Sequence, residues 1–307
     1  MMRNTYRPNA VGPTVNAAYT ALLVLSIIIC LCPVAFVVII SLSSQTSIDR
    51  IGYSFLPIQW TLDAYRGIAD MKNSLGHPSV LQAMLTSTGI TIVGTTLGLF
   101  LISSMGYVLS RPYFKFRYVY TALVVIPMIF DGGLLSTYVV NTQLLGLRNT
   151  LWAIILPLAC SSLYVIFMRT WFMSTLPEEM IESGRIDGAG QIRIFFQLVL
   201  PVSLPALSAI GLLMCFNYWN DWYQASLYIE SQRSELYPLQ YLLVSIEQSI
   251  AAQTRGGGSI SAMMESVRPQ ETMRMAVVVI TILPTLLIFP IFSRTFASGI
   301  ALGAVKG

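Results

Sequence analysis

The sequence predicts an all-α membrane protein built on six transmembrane helices, and three observations carry that prediction. Of its 307 residues, 55% are hydrophobic and only 10% are charged. An ordinary soluble domain carries roughly 25% charged residues to cover its solvated surface. The charges are also clustered, leaving residues 8–48, 78–110, 150–168, 194–220 and 275–293 with neither charge nor histidine. Residues 118–147 are interrupted only by Asp131. Each run is close to, or longer than, the roughly 20 residues a helix needs to cross the hydrocarbon core. This pattern excludes a standard soluble enzyme and a disordered chain. It also argues against a nucleic-acid partner, despite the net charge of +4.

Residues 1–17, with Arg3 and Arg7, lead into the first crossing at 18–42. A secretory signal has an apolar core of about 7–15 residues, so this longer run is expected to stay as an anchor. Loop 43–80 holds Trp60-Thr61-Leu62-Asp63-Ala64-Tyr65, expected to form a short surface helix capped by Thr61. The other five crossings fall within 81–297, at 81–110, 118–140, 151–173, 204–227 and 275–297. In the second, Gly94-Thr95-Thr96-Leu97-Gly98 is a small-xxx-small pattern, suited to packing within the chain or to a subunit interface. Pro127, Pro157, Pro284 and Pro290 lie inside crossings and permit bends there. Cys30, Cys32, Cys160 and Cys215 sit in apolar segments as small hydrophobes and imply no metal-ligand set.

Lys and Arg mark cytoplasmic loops. Arg111, Lys115 and Arg117 join the second and third crossings, against Arg148 alone between the third and fourth. That places both termini, the 2–3 loop and loop 174–203 inside, in agreement with Arg294 and Lys306 near the C-terminal tail 298–307. Loops 43–80 and 228–274 then face outward. The second contains Arg255-Gly256-Gly257-Gly258-Ser259, flexible by composition. No G-x-x-x-x-G-K-[ST] phosphate loop occurs in the sequence.

Loop 174–203 is the informative segment, reading TLPEEMIESGRIDGAGQIRIFFQLVLP within it. Thr175 with Glu178 three residues later predicts a capping box, and Pro177 suits a first helical turn. A short polar helix is expected over 176–186, broken at Asp187-Gly188 because Gly accepts the positive φ that ends helices. A second, apolar helix begins near Ala189, with Ile192, Phe195, Phe196 and Leu198, and runs to Leu200-Pro201. On the residues alone this is either an ordinary amphipathic loop or a docking helix.

The segment resembles the EAA loop of permease subunits of binding-protein-dependent ABC importers, a type I permease fold. The resemblance rests on Glu182-Ser183-Gly184-Arg185-Ile186-Asp187-Gly188-Ala189, followed by Phe195, Phe196, Leu200 and Pro201. Ser183 and Gly184 replace the two alanines of the motif. Both are small, though Gly184 weakens a helix by about 1 kcal/mol relative to Ala. Tyr218-Trp219-Asn220-Asp221-Trp222, Leu236-Tyr237-Pro238-Leu239-Gln240 and the C-terminal stretch from Met275 are similar to the carbohydrate branch, the maltose-type second permease and its oligosaccharide-uptake relatives. The resemblance implies that Glu182, Ser183, Gly184, Asp187, Gly188 and Ala189 couple to an ATPase subunit, with Glu182 meeting it, Gly188 holding the turn and Asp187 capping the second helix. It further implies a second permease subunit, an ATPase dimer holding ATP and Mg, an extracytoplasmic solute-binding protein touching loop 228–274, and a sugar or oligosaccharide cargo. No cofactor is expected on this chain.

Polar groups inside crossings are costly and mark paths or packing. Asn217, Asn220, Asp221 and Gln224 fall at i, i+3, i+4 and i+7, one face of a continuous helix, flanked by Tyr218, Trp219, Trp222 and Tyr223. That face fits either a sugar path or an interfacial aromatic belt. Asp131, before Gly132-Gly133, marks either an unwound gate or a helix-pairing acid. Arg169 is expected to snorkel, and His77, the single histidine, to be a surface residue. A membrane-embedded hydrolase would need a paired catalytic set that Asp131 and Asp221 do not form. A proton-coupled secondary transporter would leave residues 182–188 without a role. A non-sugar cargo within the same importer family stays open.

Overall fold

The computed structural model describes residues 13–70, 79–130, 132–255 and 271–304. The chain divides into two units, residues 1–67 with 270–279 and residues 68–269 with 280–307.

The first unit opens with α1 (Pro13–Ser41). Leu22, Leu23, Leu25 and Ile27 point in different directions around it, and each is more than half exposed. A helix apolar all round is stable only in an apolar surrounding. Beyond it, Ser43 pairs with Trp60, and the Ser41 and Tyr65 hydroxyls are 2.9 Å apart. Ser44 caps α2 (Gln45–Ile51) by accepting from the Ser47 amide. The expected Thr61 cap is not formed. The Thr61 amide donates to the Leu42 carbonyl, holding the residue outside the helix, and its buried Oγ1 has no hydrogen-bond partner. α3 (Asp63–Asp70) instead opens on Asp63, whose carboxylate complements the positive end of the helix dipole.

The second unit is organised around α4 (Ser79–Ser110). It continues through α5 (Arg117–Ile129), α6 (Gly133–Val139) with a π turn over Val140–Leu144, α7 (Trp152–Ala159) and α8 (Ser162–Thr175). Then come α9 (Glu178–Ile186), α10 (Gln191–Ile194), a π turn over Phe195–Val199, α11 (Leu200–Val202) and α12 (Leu204–Asn220). α13 (Tyr223–Tyr228), α14 (Leu239–Arg255) and α15 (Glu271–Ala304) complete the order, although the first turns of α15 belong to the other unit.

Glycines set how closely α4 is packed. A Cβ on Gly94 would collide with the Tyr218 ring. One on Gly98 would sit 2.6 Å from the Ala159 carbonyl oxygen, and one on Gly106 would sit 2.8 Å from Met168 Cβ. The Gly94–Gly98 pair therefore serves packing within the chain, against α12 and α7. Ile102, Ile154, Val165, Met168, Phe172, Ile210 and Met214 fill the core between these helices, each at most 2% exposed. Between membrane-spanning helices these contacts stabilise by van der Waals packing, since lipid is as apolar as the core and no water is released. At the end of the bundle away from α9, Asn149 takes φ +60° and bonds Glu230 in both directions, at 2.9 Å each.

Stretches within α1, α4 and α15 are individually long and apolar enough to cross a membrane. Three further candidates are bent pairs: α5 with α6, α7 with α8 at 43°, and α10–α11 with α12 at 79°. The stretches 118–140, 151–173 and 204–227 are each interrupted. Pro127, Pro157 and Gly132-Gly133 permit the first two breaks, while the one at Asp221 departs from the continuous helical face expected there. Phe130 is extended at φ −117° and Gly133 takes φ +78°, so α5 and α6 separate there. Cys160 is non-helical, at φ −128° and ψ 89°, and Ser161 is extended, three and four residues beyond Pro157. α12 stops at Asn220 because Asp221 is extended, at φ −73° and ψ 118°. Asp131, His77 and residues 256–259 lie outside the described residues.

Candidate functional site

The chain leaves α8 through Leu176-Pro177, both extended, because a residue before proline is pushed out of the helical region. This overturns the expected capping box. Thr175 ends α8, Pro177 is the N-cap of α9, and no side chain caps that end. Glu178 is turned to another use. Its Oε2 accepts from Arg111 at 3.1 Å, and the Arg111 side chain is only 4% exposed. Arg111 also donates to Ser110 Oγ and to the Phe172 carbonyl, and its guanidinium lies 5.2 Å from the Tyr107 ring. A buried arginine needs such partners, since an unpaired buried charge is heavily penalised. The first turn of α9 is thus tied to the end of α4.

The last turn closes on Gly188, at φ +79°. The Gly188 amide donates to the Arg185 carbonyl and the Ala189 amide to the Gly184 carbonyl, both at 3.0 Å. These two bonds satisfy helix-terminal carbonyls in a Schellman arrangement that needs a left-handed residue. Asp187 is the C-cap of α9 and does not cap the second helix, whose N-cap is Gly190 with no side-chain bond. The Gly188 turn takes up the backbone at Asp187 before the second helix begins.

Inward, Ile181 is fully buried, and a Cβ on the buried Gly184 would lie 2.9 Å from Leu198 Cδ1. Outward, Glu179, Glu182, Ser183 and Ile186 are exposed at i, i+3, i+4 and i+7, one face of the helix. Ile186 is 85% exposed and Ile192, just beyond the turn, 77%. Arg185 stacks over the Tyr113 ring at 4.4 Å, fixing α9 sideways against the 2–3 loop. Of the six sequence-predicted coupling residues, Glu182, Ser183, Asp187 and Gly188 are exposed, Ala189 is half-buried and Gly184 is a packing residue. Arg111, Tyr113 and Ile186 were not legible as parts of this site. Nor was the pairing of Glu178 with Arg111, 67 positions away, and only the 179/182/183/186 periodicity could have pointed to Ile186.

The expected polar face of the fifth crossing does not form as one helical stripe. Asn217 and Asn220 lie on α12, Asp221 in the break and Gln224 on α13. The break has a local cause: Asp221 Oδ1 accepts from the Gln224 amide at 3.4 Å, an Asp-type cap that competes with helix propagation. A cavity of about 490 Å³ opens there, lined by Leu158, Phe216, Asn217, Asn220, Asp221, Trp222 and Tyr223. Asp221 Oδ2 is buried with no hydrogen-bond partner. Asn217 donates to the Tyr164 hydroxyl and Asn220 accepts from Gln240. Tyr218 is absent from this lining. It is buried, donates to the Ile155 carbonyl at 2.9 Å, and fills the space left by Gly94. Gln224 is not part of the lining either. Arg169 donates to the Leu109 carbonyl at 3.2 Å, which anchors α8 on α4.

A polytopic α-helical bundle that fixes a short charged helix at one end, exposed along one face, belongs to the class of membrane transport subunits. The comparisons narrow this. Residues 90–249 match the family model described as binding-protein-dependent transport system inner membrane component. The chain belongs to that family and is a multi-pass protein of the bacterial plasma membrane. It is 35% identical over 281 residues to the Bacillus subtilis polygalacturonan/rhamnogalacturonan transport system permease protein YtcP, covering 91% of this chain and 94% of that one. It is 34% identical to the Bacillus subtilis protein LplC, over 90% and 89% of the two chains. A chain in the crystal structure of a bacterial ABC transporter involved in the import of the acidic polysaccharide alginate shares its fold. That match has a TM-score of 0.76 at 23% identity, over 94% of this chain and 99% of the other.

Proposed function

We propose that this chain is the permease subunit of an ABC importer that carries a sugar or oligosaccharide inward. In this reading the chain crosses six times, three of the crossings bent, and the Lys and Arg of the 2–3 loop assign that loop, both termini and α9 to the cytoplasm. A second permease, identical or homologous, an ATPase dimer and an extracytoplasmic solute-binding protein complete the machine. In this reading ATP and Mg reside on the ATPase. Glu182, Ser183, Asp187, Gly188 and Ala189 form the coupling surface, with Gly184 seating it.

The observation that carries this reading is the fixing of α9 at both ends, by Glu178 to Arg111 and by the Gly188 turn, while Glu179, Glu182, Ser183 and Ile186 face outward. An exposed isoleucine among carboxylates fits a cleft on a partner. Replacing Ile186 with Asp should therefore strip the ATPase subunit from the purified complex, read as the ATPase-to-permease ratio after co-expression. An unchanged ratio, with the permease still folded, would count against the reading.

The carbohydrate assignment is supported by the cavity at Asp221, which combines aromatic faces with hydrogen-bonding groups, and by the likeness to YtcP, a polygalacturonan/rhamnogalacturonan transport system permease protein. Asn217, Asn220, Asp221 and Trp222 line the path, and Asp131 stands as a further candidate on it. Asp221→Asn should lower oligosaccharide uptake in proteoliposomes several-fold while leaving assembly intact. Equal uptake by Asp221→Asn and wild type would remove Asp221 from the path and favour another solute class.

A further inference from the structure

A second cavity, of about 860 Å³, opens on the flank of α4 and is not used by the coupling surface or the sugar path. Its α4 wall is Phe100, Ser104, Tyr107 and Val108, which share one helix face, with Arg111 just past the end of the helix. Opposite stand Phe195 and Phe196, with the Phe100 and Phe196 rings stacked at 6.4 Å, and Phe114 from the 2–3 loop. Phe100, Val108, Tyr113 and Phe196 are each between 43% and 50% exposed, so the groove is open along its length. Both charged residues in its lining, Arg111 and Arg185, are arginines, and they gather at the end nearest the 2–3 loop. Arg185 Nε is buried and has no hydrogen-bond partner.

Two magnitudes identify the occupant. Ten helical steps run from Phe100 to the end of α4 at Ser110, so the groove follows the helix axis for about 15 Å. That is half of the roughly 30 Å hydrocarbon core, the depth of one leaflet. A ligand that is apolar over one leaflet's depth and anionic at the interface is a phospholipid. The charge nearby in the chain agrees, since Lys115 follows in the 2–3 loop and Arg117 opens α5. Of the acids on α9, Glu178 is taken by Arg111, and Glu179 and Glu182 lie on the exposed outward face.

We infer that this groove binds an anionic phospholipid of the inner leaflet, its acyl chain along Phe100, Val108 and Phe196 and its phosphate at Arg185. The leaflet assignment rests on the orientation proposed above. Because Arg185 ends the coupling helix and stacks on Tyr113, the lipid lies directly beside the segment proposed to meet the ATPase.

The test uses the complete transporter, purified with its partner subunits and moved into phosphatidylcholine nanodiscs after growth with phosphatidylglycerol present. Native mass spectrometry counts the phosphatidylglycerol that stays bound, a readout independent of ATP coupling. Wild type should retain it. Arg185→Gln should retain about fivefold less, in keeping with the loss of one basic contact to an anionic headgroup. Ser104→Trp, which fills the groove, should lose it while still assembling. Equal retention by wild type and both variants would overturn the inference. So would normal retention by Arg185→Gln combined with loss of the second permease from Ser104→Trp, since the groove would then seat a protein segment.

Discussion

Gly188→Pro should abolish binding-protein-stimulated ATPase activity, by at least tenfold, while the permease still reaches the membrane. The expectation follows from the turn itself. Gly188 sits at φ +79°, and proline is fixed near −65°, so the left-handed turn cannot form. Proline also removes the amide that donates to the Arg185 carbonyl. A non-glycine residue held in such a region costs about 1–3 kcal/mol, and here α9 can escape the cost by leaving its position. A Cβ at Gly188 would meet nothing within 4 Å, so crowding is not the cause. Gly188→Asn separates the two, because Asn tolerates the left-handed region, and it should keep most of the activity. Stimulated hydrolysis in reconstituted transporter is the measurement. Full activity in Gly188→Pro would show that the turn is not part of coupling.

Gly98→Val should act on the bundle. The added Cβ meets the Ala159 carbonyl oxygen at 2.6 Å, which is backbone and cannot rotate away, as well as the Met214 side chain. Overpacking of this kind typically costs 1–3 kcal/mol, and a rigid neighbour puts it at the upper end. Since α4 is the helix against which α7, α8 and α12 pack, the variant should accumulate poorly in the membrane and lose its melting transition in detergent. Gly89→Val is the control, because a Cβ there meets nothing within 4 Å on the same helix. Normal levels of both variants would show that α4 and α7 can separate at little cost.

The sequence announced the helices, the Gly188 turn and, through Pro127, Pro157 and Gly132-Gly133, the capacity to bend in the third and fourth crossings, but not where each helix stops. Long uncharged runs are a composition signal, and composition does not record where a helix pauses. Cys160-Ser161 carries no glycine or proline to punctuate the run. At Asn220-Asp221 the apolar and aromatic flanks outweighed a residue whose short side chain is well suited to capping. Thr175 was misassigned for the opposite reason, since a good cap motif was overridden by the extended Leu176-Pro177 link. The Arg111–Glu178 pair and the Gly94–Tyr218 fit depend on three-dimensional neighbours far apart in the chain, which no local pattern encodes. The same holds for the polar cavity, where Tyr218 leaves and Leu158 enters once α12 packs on α4 and α7.

The 79° bend between α10–α11 and α12 has a mechanical meaning. Gln191–Val202 spans about 18 Å of helical rise, and it begins two residues after Ala189. Under the proposed coupling it would act as a crank arm, with α12 as its shaft. A push of about 3 Å at the free end of such an arm turns the shaft by roughly 10°, by the ratio of displacement to arm length. Ser203, at the elbow, donates from both its amide and its hydroxyl to the Val199 carbonyl, which stiffens the joint between arm and shaft. A small stroke at α9 would then reach Asn217 and Asn220 as rotation, swinging them around the α12 axis.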